Sequence, residues 1–337
     1  MLRKNGTILA TLVAICLFAF AMLSAASDID ADLMAKRRVF PSIGPGLHAI
    51  HRGSDGKYYL LASPNVGIAV FDPTEKRLAV LGAPPAAPTA NQASGSSITF
   101  GADFDLDSHG NLCVADRGSN LVKILAPDGS LHLSIPLNSP LSVAALPDGE
   151  IAVTSPQSLH LVSVFDSRGR LVREFGDPEP LSARTDLNRY ASIGRLASDP
   201  QGHLYYGYTY FPEPLIRQFD SLGFAKLDFQ LTTIDAFSEA RATRKEIQRL
   251  EQRSDPPSLQ PILTAFGIDP VSGDLWMALN NTLVHFDKDG DQRSEYRIYT
   301  PDGARLEANC ILVEDHRLLI GADPLGVYEF ARPDRNP

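Results

Sequence analysis

The 337-residue sequence predicts an all-β fold, a six-bladed β-propeller with a helical insertion between blades 4 and 5. Three observations predict it. A Gly- or Asp-bearing turn followed by a short apolar strand recurs six times. A second strand follows each unit and runs into another tight turn. Four such short strands repeating over about 40 residues is the period of a propeller blade, whereas unrepeated short strands would suggest a sandwich or barrel.

The six turn-strand units, in order, are 56–62 (GKYYLLA), 110–115 (GNLCVA), 149–154 (GEIAVT), 202–207 (GHLYYG), 273–278 (GDLWMA) and 316–321 (HRLLIG). The second strands end at 70–73 (VFDP), 124–129 (ILAPDG), 164–169 (VFDSRG), 218–223 (QFDSLG), 285–290 (HFDKDG) and 328–334 (YEFARPD). Asp and Gly recur there because tight hairpin turns need residues that tolerate positive φ. A third strand follows most turns, as in 170–175 (RLVREF) and 292–298 (QRSEYRI). Another precedes each unit, as in 104–107 (FDLD), 143–146 (VAAL) and 266–269 (FGID). That makes strands A to D per repeat. The sixth repeat has A to C only, and 35–40 (AKRRVF) reads like the missing D strand, so it is expected to pair into the last blade and close the ring.

The run 107–116 (DSHGNLCVAD), with Gly118, Asn120, 122–124 (VKI), Asp128 and Gly129, resembles an NHL repeat. Residues 40–331 as a whole resemble NHL-type six-bladed propellers of exported bacterial proteins, with the second repeat the best match. The resemblance implies the fold and says little about function, since one fold hosts many activities.

Arg3 and Lys4, the apolar stretch 7–23 and the small residues Ser24, Ala25 and Ala26 read as a signal peptide over 1–26. An uncleaved N-terminal anchor is the alternative, although 7–23 is at the short limit for a span. The expected domain is then 27–337, periplasmic or extracellular, with an insertion at 231–263. Formal net charge is −9 even with Arg3 and Lys4 counted, so nucleic acid and anionic membrane are not expected as partners. Beyond the leader, Cys113 and Cys310 sit inside apolar strand patterns and are expected to be free and buried.

A–B and C–D turns are tight throughout, whereas three D–A connections, 83–99, 177–194 and 231–263, are long. In a propeller, D–A and B–C loops share one face, so binding residues are expected there. The segment 83–99 is rich in Pro, Ala, Ser and Gly. The segment 177–194 carries Arg184, Asn188, Arg189 and Tyr190. Residues 235–253 read as a helix with Phe237, Ala240, Ile247 and Leu250 in one apolar stripe, a cap over the ring or a lid on a pocket. B–C loops add Arg117, Tyr208, Tyr210, Asn280 and Asp323. The candidate ligand-binding set is therefore Arg117, Arg189, Tyr190, Tyr208, Tyr210, Asn280 and Asp323, with a protein, peptide or glycan as partner.

Catalytic chemistry is less legible. The eight histidines form no visible cluster, and His48 and His51, three apart on one strand, are expected to point oppositely. The run 287–291 (DKDGD) begins like a calcium loop but lacks the Gly at position six and the Glu at position twelve. The inner Glu of sugar lactonases has no counterpart in 46–50 (GLHAI), and the zinc-binding histidines of NHL-type amidating lyases have no clear match. No serine-nucleophile, phosphate-loop or dinucleotide motif is present. Residues 280–282 (NNT) fit a glycosylation sequon. No cofactor or metal is expected, and an extracytoplasmic binding or scaffold propeller is favoured over a metal-dependent lyase or hydrolase working in the central channel.

Overall fold

The computed structural model describes residues 31–62, 67–84, 95–231, 234–253 and 255–335, with backbone only for 234–239. The leader 1–26, most of the loop 83–99 and the side chain of Phe237 lie outside these residues. Six sheets form a ring. The strand Arg37–Val39 pairs antiparallel with Gly326–Ala331, the third strand of the last sheet, as the 35–40 pattern predicted. This composite sheet is blade 1 here, and the others follow in chain order as blades 2 to 6.

The innermost strands are Cys310–Val313, Ala49–Arg52, Gly101–Leu106, Ser142–Ala145, Gly194–Ser198 and Ala265–Ile268, for blades 1 to 6. A second feature was not expected. Ala31–Met34 adds to the outer edge of blade 6, parallel to Gln292–Tyr299, making that sheet five-stranded. The N-terminal chain thus edges two adjacent blades in succession.

Burial explains the strand patterns. Middle strands such as Tyr58–Leu61, Ile151–Thr154 and Leu275–Leu279 are buried on both faces and are almost wholly apolar or aromatic, Thr154 excepted. Outer strands such as Arg77–Leu81 and Leu171–Phe175 are mostly exposed or half-buried. Alternation by two then sends successive side chains to opposite neighbours. Leu112 and Val114 pack against blade 2, whereas Cys113 and Ala115 pack against blade 4. One apolar core lies at each of the six blade boundaries. Both cysteines are free and buried, as expected.

Several of the tight turns share one construction. Asp107, Asp166, Asp199, Asp220 and Asp287 each accept the N–H groups two and four residues on. A glycine at positive φ follows three residues after each aspartate, at Gly110, Gly169, Gly202, Gly223 and Gly290. In the turn opened by Asp72, Glu75 takes that place at φ 68°. The start of a calcium loop at 287–291 is one of these turns, and its Asp287 also pairs with Arg293.

A short helix, α1 (Thr185–Ala191), stands in the loop entering blade 5, and α2 (Ile234–Glu251) in the loop leaving it. With the composite sheet counted first, α2 falls between blades 5 and 6, not between 4 and 5 as the repeat count placed it. The earlier count began at the first complete repeat, because the closing strand is remote in sequence. The two helices pack on each other. Leu187 and Ala191 of α1 meet Ile247 and Leu250 of α2, and Leu259, in a seventh core. Among the described residues no helix is long and apolar enough to cross a membrane.

Candidate functional site

The inner strand of a blade has one edge unpaired within its sheet, and those buried N–H and C=O groups need partners. Blades 3 and 4 solve this with side chains. Asp103 accepts the hydroxyl of Ser142 at 2.5 Å and Asp105 accepts Ala145 N–H at 2.9 Å. Ser142 Oγ in turn accepts Leu196 N–H from blade 5, and Ser198 Oγ donates to the Ala145 carbonyl. Arg195 Nη1 reaches the Asn309 carbonyl of blade 1 at 2.8 Å. These bonds stitch inner strands of blades 1, 3, 4 and 5 around the axis.

What remains is a cavity of about 170 Å³ lined by His48, His51, Asp103, Asp105, Arg195 and Cys310 among others. Both histidines line it. The expectation that spacing would separate them fails because an innermost strand presents its edge to the channel. His48 also precedes the strand proper. His51 Nδ1 lies 3.2 Å from Asp105 Oδ1, and its ring meets Phe104 edge-on. Burial raises the Asp103 carboxyl pKa against the opposing pull of Ser142, Arg195 and His51. Burial, then Arg195, lowers that of His48, with Asp323 opposing. Burial pushes the Cys310 thiol up to about 12, so it is not a thiolate nucleophile at neutral pH.

Four of the seven sequence candidates, Arg117, Tyr190, Tyr210 and Asp323, lie outside the cavity lining but close enough to Arg195, to His48 or to each other to interact. Tyr190 of α1 and Tyr210 stack with ring centroids 5.0 Å apart. Both rings rest on the core shared by the two helices. Burial raises the Tyr210 pKa, while Arg195 and Arg117 stand near enough to oppose it. Asp323 accepts Gly46 N–H at 2.6 Å, and its charge acts on His48. Arg195, which lines the cavity, acts on both Tyr210 and His48. The sequence did not single it out, although an arginine in a short inner strand (GRLAS) was a usable signal.

The other three lie elsewhere. Tyr208 is wholly buried, packed on Tyr206 and Phe211, with its hydroxyl near Arg217. Arg189 is exposed on α1 and borders a small separate pocket with Ser155, His160 and Tyr206. Asn280 sits in a two-residue hairpin turn at φ 55° and edges a groove of about 840 Å³ beside α2. Two neighbours of Tyr190 prove to be framework. Arg184 donates to the carbonyls of Leu250, Arg253 and Asp255 at the end of α2, where unpaired C=O groups favour a cation. Asn188 exchanges hydrogen bonds with the Ser182 backbone. Asp116 and Lys123 form a buried ion pair at 2.8 Å, with Asp116 also accepting Thr99 N–H and Phe100 N–H.

Fold and site together define a six-bladed propeller whose channel is lined by histidine, aspartate and arginine side chains. No family model and no curated protein matches the chain. Among solved structures it is similar to virginiamycin B lyase from Staphylococcus aureus at 13% identity and a TM-score of 0.55, covering 86% of this chain and 95% of that one. A catalytically inactive variant of that lyase, with quinupristin, scores 0.55 at 13% identity over 87% and 97%. The WD40 repeats of RRP9 score 0.55 at 12% identity over 89% and 99%. At such identities the likeness shows the fold alone.

Proposed function

We propose that the protein is an extracytoplasmic NHL-type propeller that binds a protein, peptide or glycan at the loop-bearing mouth of its channel. The observation that carries the reading is the Tyr190–Tyr210 stack, with Arg117 and Arg195 near enough to act on Tyr210, and Arg195 and Asp323 near enough to act on His48 in the channel lining. Arginine and tyrosine are common anchors of binding surfaces. Polar groups deeper in the channel are largely committed to hydrogen bonds between blades. Export rests on the leader pattern, and a mature N-terminus just after Ala26 is the outcome it requires.

Peptide and glycan arrays probed with the wild type and with an Arg117→Ala/Tyr210→Ala double variant test the mouth. Ligands held by the wild type and weakened at least tenfold by the variant, at equal melting temperature, are expected. Binding that survives both substitutions removes the mouth as the site.

A second reading has its own observation. His48, His51, Asp103 and Asp105 line one cavity, as a metal-dependent lyase or hydrolase would need. It requires metal bound in the channel and lost on His51→Gln.

A further inference from the structure

At the boundary of blades 6 and 1, on the face of tight turns, three donor groups converge away from the channel. Asp274 immediately precedes the second strand of blade 6, His285 lies on the third, and Asp334 stands in the terminal turn Pro333–Arg335. One donor atom from each lies within 4.8 Å of the other two. His285 pairs across the strands with Trp276 and stacks on its indole, centroids 4.4 Å apart and planes 11° from parallel. That stacking holds the imidazole in one orientation. The residue is 5% exposed, and its Nε2 has no hydrogen-bond partner among the described residues. Nε2 points toward Asp274 Oδ2 at 3.5 Å. A buried imidazole nitrogen without a partner is costly, and one aimed at a carboxylate invites a cation between them.

We propose that Asp274, His285 and Asp334 bind one divalent transition-metal cation of the zinc class, which fastens the terminal turn to blade 6. The spacing fits. Two ligands ~2.0–2.2 Å from a tetrahedral zinc lie ~3.3–3.5 Å apart, matching the Nε2 to Oδ2 separation of 3.5 Å. One imidazole with two carboxylates suits zinc or a neighbouring first-row ion better than calcium or magnesium, which prefer oxygen alone. The charge also fits. Arg332 and Arg335 pair with Asp269 and Asp334, which leaves Asp274 outside those pairs. Among the described residues Asp274 has no lysine or arginine ion pair, only His285. Arg332 holds Asp334 through a fork, using one lone pair on each oxygen and orienting the carboxylate as a supporting partner should. Arg332 is itself wholly buried and bound to Asp269 at 2.5 Å, so the terminal turn is positioned before any ion arrives.

The test is titration of metal-stripped full-length protein with zinc, and with cobalt as a spectroscopic probe. One ion per chain, a raised melting temperature and the visible absorption of tetrahedral cobalt are expected. His285→Gln and Asp274→Asn should each weaken affinity at least tenfold, and the channel variant His51→Gln should leave it unchanged. Should His285→Gln fail to fold, Asp334→Asn carries the same expectation. No binding by the wild type, or binding unaffected by the Asp274 and Asp334 variants, overturns the proposal. Loss of the ion in His51→Gln alone does so too, and transfers it to the channel reading.

Discussion

The two faces of the ring are built by different means. On the turn face an aspartate commonly satisfies the amides of its own turn, and such a unit is complete within five residues, as at 107–111 and 220–224; Asp269, bound also by Arg332, is an exception. On the loop face the stabilising groups come from far apart in the chain. Asp116 holds the segment entering blade 3 together with Lys123, and Arg184 closes the end of α2 from another loop. Self-contained turns can repeat with little change. Loops held by long-range partners can diverge, and the candidate binding side chains stand on them.

The largest expected effect breaks the loop face. Asp116→Ala leaves Lys123 buried without its counter-charge and should destabilise by about 3–5 kcal/mol in chemical denaturation. The same pair gives a pH dependence. Burial works to raise the Asp116 pKa, but the hydrogen bond from Lys123 and those of the loop amides outweigh it and hold the carboxyl below its ordinary value. Its contribution is therefore complete above the unfolded value near ~4 and is lost as pH falls through the depressed folded value. Wild-type stability should drop over that acid window, and Asp116→Ala should flatten the drop.

A turn-face counterpart should cost less. Asp199 accepts two turn amides, His203 Nδ1 at 2.8 Å and the Tyr205 hydroxyl at 3.1 Å. Asp199→Ala should lower stability by about 2 kcal/mol, because the turn amides and His203 can turn to water, the buried Tyr205 hydroxyl keeps its bond with Gln218, and no charge is left buried without a partner. A loss as large as that of Asp116→Ala would erase the contrast between the faces. The smallest effect concerns Glu75, a non-glycine residue in the left-handed region. Glu75→Gly relieves strain of about 1 kcal/mol and removes an ion pair to Arg37 that also has Glu329. A net gain of up to ~1 kcal/mol is expected by thermal melting, since exposed pairs contribute little.

Much of this architecture was legible in the chain because it is local. The Asp and Gly turn code and the apolar runs of 110–115 and 273–278 specify turns and doubly buried strands wherever they occur. The ring closure at 35–40 was legible because that segment repeats the outer-strand pattern. The parallel strand Ala31–Met34 was not, since ADLM carries no turn signal and its partner lies over 250 residues away. Tyr208 misled because its loop looked exposed, while its register places it between blades 4 and 5.

By itself the sequence determined the repeat, its strands and turns, the elaborated face and the buried free cysteines. Each of these follows from side-chain periodicity or turn geometry within a few residues. Only the tertiary structure decided that His48 and His51 share a cavity, that Arg195 acts on both Tyr210 and His48, and that Asp274, His285 and Asp334 meet. Arg195, Asp274, His285 and Asp334 belong to different blades or the terminal turn and reach their partners only in the closed ring, whereas His48 and His51 share a cavity because an innermost strand presents its edge to the channel.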